Sequence, residues 1–95
     1  MATNQVNLVF IFGSKDDPLG GWEKALILRD ELETAGMHVR LINKLTSILE
    51  DLQLVALYRI VKTPTIIILS PQNEVLGRIS DLPSVDLLRK LQLIM

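Results

Sequence analysis

Apolar residues follow two rhythms along the chain. Residues 6 to 12, VNLVFIF, and residues 65 to 69, TIIIL, are apolar apart from Asn7 and Thr65 and rich in branched and aromatic side chains. Runs of this length and composition predict strands covered on both faces. Residues 38 to 43, HVRLIN, alternate, with Val39 and Leu41 on one face and His38 and Arg40 on the other. Alternation predicts a less covered edge strand. Residues 74 to 79, EVLGRI, follow the turn-forming SPQNE and read as the return strand of a hairpin. Gly77 inside that strand marks a bulge or a close contact.

Between the strands the period changes to that of helices. A helix is predicted over roughly residues 18 to 35, with Asp17 as N-cap and Pro18 at the first helical position. Gly20 and Gly21 weaken that start, so the regular helix is expected from near Trp22. Gly36 is a left-handed stop. Ser47 and Glu50 have capping-box spacing and open a second helix to about Tyr58. On it Ile48, Leu49, Leu52, Val55 and Ala56 make one apolar stripe, with Leu54, Leu57 and Tyr58 partly outside. On the first helix, Trp22, Leu26 and Ile27 broaden the stripe of Ala25, Leu28 and Leu32. Ser84 caps a last helix, with Asp86 in its first turn, expected to run to the C-terminus through the apolar LQLIM.

The order is β-α-β-α-β-β-α, an α/β class. The first three elements predict a right-handed parallel unit and the last two strands an antiparallel hairpin. Placing the continuous strands centrally and the alternating ones at the edges gives the order 2-1-3-4, with helices on both faces. No linker, repeat or low-complexity segment interrupts the chain, so residues 1–95 are expected to form one domain.

Composition narrows the function classes. With 48% hydrophobic and 22% charged residues, the chain has the apolar content for a packed core. The net charge of −1, from 10 basic and 11 acidic residues, argues against a general nucleic-acid binder. There is no cysteine, which removes disulfides, thiolate nucleophiles and cysteine-ligated metals. The segment MATNQVNLVFIFGSKDD has no basic leader, and its apolar run is of strand length. A cytoplasmic location and no membrane span are therefore expected.

Proline is normally kept out of central strands, yet Pro64 stands directly before the isoleucine run. The stretch YRIVKTPTIIILSPQNEVLGRI, with TPT opening the third strand, resembles the thioredoxin fold, and the likeness extends from about Val6 to Leu91. The resemblance implies a cis Thr63–Pro64 bond. Such a bond makes a tight bend and sets the proline ahead of the ladder, leaving the backbone of Thr63 open to an extended peptide. In thioredoxins a Cys-x-x-Cys pair faces this proline from the first helix N-terminus. Here KDDPLGGWEK occupies that place, with Leu19 and Trp22 where the cysteines fall. Many thioredoxins also bury an acid in the first strand, where this chain has only apolar residues. Thiol–disulfide chemistry is thus excluded.

Other chemistry in that corner finds little material. Asp16 and Asp17 lack further ligands for a hard cation, and they read as a solvated loop and a cap. His38 has no nucleophile pattern beside it. Gly13, Gly20 and Gly21 lack phosphate-loop spacing, and the two aspartates repel an anion at the helix start. Trp22 fits either stacking on a ligand or packing on the neighbouring loop. The leading expectation is a redox-inactive thioredoxin-like module that binds a protein partner or itself and needs no cofactor. Its expected site comprises Asp17, Leu19, Trp22, Lys62, Thr63 and Pro64, and surplus apolar helix surface is the second candidate face. An alternative is a KaiB-like clock or signalling module, whose ATPT or ATPA step looks like KTPT here, although the hairpin and closing helix favour the ordinary thioredoxin arrangement. A non-thiol enzyme using Lys15 or Asp17 with His38, or a glutathione-type ligand binder, is weaker still.

Overall fold

A computed structural model describes residues 7–94. Its elements in chain order are β1 (Leu8–Gly13), α1 (Gly21–Thr34), β2 (His38–Asn43), α2 (Leu49–Leu57), β3 (Thr65–Leu69), β4 (Val75–Ile79) and α3 (Val85–Lys90). The sheet has the expected order β2-β1-β3-β4. β1 and β2 run parallel, while β3 is antiparallel to both β1 and β4. Val6, expected at the start of the first strand, lies outside the described residues.

The alternation of side chains across the sheet creates two cores. Val9, Ile11, Ile66 and Ile68 face α1 and α3, and meet Ala25, Leu28, Leu32 and Leu88. Phe10, Phe12, Ile67 and Leu69 face α2 on the other side, with Ile42, Ile60 and the partly buried Leu54, Val55 and Tyr58. The central strands β1 and β3 are buried on both faces, which is why their sequences are continuously apolar. Gly77 is held close to Leu93: a Cβ there would sit 2.9 Å from the leucine side chain. The β3–β4 register shifts between Ile68 and Leu69, so the bulge and the close contact occur together.

Several local expectations are corrected. Asp17 does not cap α1; the helix starts at Gly21 behind Gly20, whose φ of 74° only glycine adopts readily. The Asp17 carboxylate instead accepts from the Leu19 N–H at 2.9 Å and folds residues 17–20 into a turn. Ser47 and Glu50 form no capping box. Thr46 Oγ1 takes the Ile48 N–H, Ile48 occupies the N-cap position, and Glu50 turns towards Arg40. The last helix stops at Lys90 rather than running on, because the chain turns at Gln92 with φ 59° and brings Ile94 into the core. Ser84 does cap α3, accepting from Leu87 N–H at 3.1 Å.

The largest correction concerns α2. The residue it buries is Asp51, and the expected stripe of Ile48, Leu49, Leu52 and Ala56 faces solvent. Arg40 stands on the sheet face beneath the helix, and its Nε donates to Asp51 Oδ1 at 3.0 Å. A buried carboxylate needs its partner, so this pair fixes the helix rotation. Val55 belongs to the buried side with Leu54 and Tyr58, and Tyr58 packs 5.7 Å from Phe10, ring to ring.

Candidate functional site

The proline corner forms where three chain segments leave the same end of the sheet. Phe12 pairs with Thr65. Gly13 therefore continues β1 beside Pro64, which immediately precedes β3. The Thr63–Pro64 peptide bond is cis. Thr65 Oγ1 donates to the Lys62 carbonyl at 2.8 Å and tightens the bend. Among the described residues, Thr63 makes no backbone hydrogen bond. Thr63 and Pro64 are half-buried and Lys62 is exposed.

Trp22 comes to this end of the molecule from the first turn of α1. Its ring lies against the bare backbone of Gly13, where an added Cβ would be 3.1 Å from the indole. Lys15 Nζ sits over the ring, 5.4 Å from its centre, a cation–π distance. The indole is thus held by its own loop and remains half-buried. Leu19 is exposed, and the Asp17 turn fixes its backbone. A Cβ at Gly21 would lie 2.0 Å from Asp17 Oδ2, so the carboxylate occupies the space glycine leaves. The structure thereby joins Asp17 with Leu19 and Gly21, Trp22 with Gly13 and Lys15, and Lys62 with Thr65.

Two cations that sequence reasoning missed hold the segment before Thr63. Lys44 Nζ donates to the Val61 carbonyl. Arg78, on β4, donates to the Tyr58 carbonyl and, at 3.0 Å, to the Arg59 carbonyl. These carbonyls end α2, where a cation is favoured by the helix dipole. Among the described residues, Arg40 is the one side chain whose proton affinity is clearly displaced. Its hydrogen bond to Asp51 holds it above the usual guanidinium value, against a smaller desolvation effect, so it stays charged.

The chemical repertoire of the corner is narrow. No thiol is present anywhere in the chain. Among the described residues no group of three or more His, Asp or Glu is placed to hold a metal ion, and no helix is long and apolar enough to cross a membrane. An open groove of about 520 Å³ lies between α1 and α3, lined by Asp30, Glu31, Thr34, Val85 and Asp86. It adjoins the last turn of α1, whereas the corner adjoins the first.

No protein-family model matches the chain, and no curated protein matches it. Solved structures do. Thioredoxin-2, a component of the malaria parasite protein secretion machinery, superposes with a TM-score of 0.73 at 17% identity, covering 97% of this chain and 85% of its own. A thioredoxin from Thermus thermophilus gives 0.64 at 23% identity, covering 92% and 72%. The oxidoreductase DsbH gives 0.63 at 14% identity, covering 94% and 72%. At these identities the likeness is one of fold, and it agrees with the strand order: the chain is a thioredoxin-like α/β fold without the Cys-x-x-Cys motif.

Proposed function

We propose that this chain is a protein-binding module without thiol redox chemistry, which takes an extended segment of a partner against the backbone at Thr63. The observation that carries the reading is the unpaired backbone of Thr63 at the mouth of β3. A strand laid there gains main-chain hydrogen bonds without displacing any within the protein. In this reading Lys62 and Pro64, the chain neighbours of Thr63, and Trp22, which packs on Gly13 at the same end of β1, contact the bound segment, with Leu19 on the Asp17 turn beyond them. The loss of both cysteines from the corner leaves its shape and removes its electron chemistry. Binding is then what the shape retains.

The test is selection of peptides from a random displayed library, followed by titration of the selected peptide into isotope-labelled protein. The Thr63 amide resonance is expected to shift on binding. Thr63→Arg and Trp22→Ala are each expected to weaken the peptide by about tenfold or more, which corresponds to about 1.4 kcal/mol, with a folded circular dichroism spectrum retained at the titration temperature. Unaltered affinity in both variants would sink the reading.

A further inference from the structure

The outer face of α2 lies apart from the proline corner, and it is apolar without a charge at its centre. Ile48 is 57% exposed, Leu49 67%, Leu52 42% and Leu57 68%. Ala56 is exposed among them, and Gln53 is the single polar residue on the face. Asp51 turns away to Arg40, and Glu50 stays exposed at the edge of the face, 3.7 Å from the same arginine. Water contact at four large aliphatic side chains is unfavourable relative to their burial. The cores on the two sides of the sheet are already filled by other residues, so this surface is not an unfinished interior.

We infer that this face is the interface of a two-fold homodimer in which the α2 helices of two copies pack antiparallel. Two observations select a second copy as the occupant. The first is area. With Leu45 just ahead of the helix, the exposed apolar side chains supply on the order of 500 Å². A standard interface uses about 800 Å² per partner, and homodimer interfaces are about 65% apolar. The apolar centre and a rim of Gln53, Glu50 and neighbouring polar groups fill that size in that proportion.

The second is charge. A two-fold axis sets each residue near its own copy, so a charge at the centre would meet its like. This centre holds none. At its ends the helix is polarised: Glu50 is exposed at the start, and Arg59 is exposed beyond the finish. Antiparallel packing brings Glu50 of one copy towards Arg59 of the other, and it opposes the two helix dipoles. Ala56 lets the helices approach at the usual 8 to 10 Å.

The experiment is light scattering behind size exclusion on the full chain across a dilution series, with Leu52→Lys and Leu52→Glu as variants. The wild type is expected at twice the 10.7 kDa chain mass. Each variant is expected at the single-chain mass with an unchanged circular dichroism spectrum, its dimer dissociation constant raised by about 30-fold or more. An equimolar mixture of the two variants is expected to recover the doubled mass, because lysine then faces glutamate across the axis. A wild type that stays at the single-chain mass to its solubility limit overturns the inference and leaves the face to a different partner. Variants that keep the doubled mass, or a mixture that does not recover it, overturn the assignment to α2. Thr63→Arg, which reports on the corner, is expected to leave the mass unchanged, so the two readings fail separately.

Discussion

Arg40 and Arg78 stand in one row across the sheet, on its opposite edges, and both reach the same helix. The register runs Arg40 to Phe10, Phe10 to Ile67 and Ile67 to Arg78. Arg40 engages Asp51 in the first half of α2, and Arg78 engages the Tyr58 and Arg59 carbonyls at its end. The two guanidiniums thus hold a nine-residue helix at both ends. They flank the aromatic packing of Tyr58 against Phe10 and Phe12. A helix that short has little stability of its own and depends on such attachments.

Removing Arg78 is expected to release the end of α2 and the segment that leads to Thr63. The carbonyls are accessible to water, so Arg78→Met should cost about 1–2 kcal/mol rather than the larger penalty of a buried orphan. Urea denaturation with an unchanged slope would measure it. Arg78→Lys is expected to recover only part of the loss, since one ammonium does not reproduce the fork that spans two carbonyls. Full recovery by lysine would show that charge alone matters there.

The Arg40–Asp51 pair makes a different prediction, because Asp51 is buried while the arginine side chain is 43% exposed. Asp51→Ala should destabilise by about 2 kcal/mol, less than for a fully buried pair, since the freed arginine can turn to water. The double change Arg40→Met with Asp51→Leu should lie within about 1 kcal/mol of the wild type, as apolar replacement of an ion pair often does. A double-mutant cycle measures the coupling. Losses that simply add would mean that the pair does not set the helix rotation.

All three helices end in the same hydrogen-bonded turn, but only one uses glycine there. Gly36 has φ 95°, Arg59 has φ 51° and Gln92 has φ 59°. In each case the following residue donates back to the carbonyl five positions earlier: Met37 to Leu32, Ile60 to Val55 and Leu93 to Leu88. A left-handed backbone costs an ordinary residue about 1–2 kcal/mol, part of which glycine returns as unfolded-state entropy. Arg59→Gly and Gln92→Gly should therefore each stabilise the protein by about 0.5–1 kcal/mol. Gly36→Ala should destabilise by about 1 kcal/mol, although nothing lies within 4 Å to obstruct the methyl. Thermal melts of the three variants decide the matter.

These features mark where the sequence was legible. Continuous and alternating apolar runs identify the central and edge strands because burial on two faces or one is written into each strand locally. The step before Ile66 identifies the corner for the same reason. The rotation of α2 is not local. Leu49 and Leu52 have core-like spacing, and only the position of Arg40 on the facing strand shows that Asp51 must turn inward instead. Lys44 and Arg78 escaped notice because they bind backbone carbonyls 17 to 20 residues away. A carbonyl leaves no trace in the identity of its residue. An arginine on an otherwise apolar sheet face was the available signal, and it points to a helix end rather than to a ligand.

The turn that carries Leu19 offers a sign reversal as its test. Alanine normally surpasses glycine inside a helix by about 0.5–1 kcal/mol. At Gly21 the new methyl would fall 2.0 Å from Asp17 Oδ2 and 3.1 Å from its Cγ. The carboxylate must then move and release the Leu19 N–H, a hydrogen bond worth about 1 kcal/mol. Gly21→Ala should thus be neutral or destabilising in the wild type. In an Asp17→Ala background the obstruction is gone, and the same change should stabilise by about 0.5 kcal/mol. Equal effects in the two backgrounds would mean that Asp17 does not hold this turn. The expected reversal would place the turn that carries Leu19 under the control of one carboxylate, with glycine at position 21 as the space it requires.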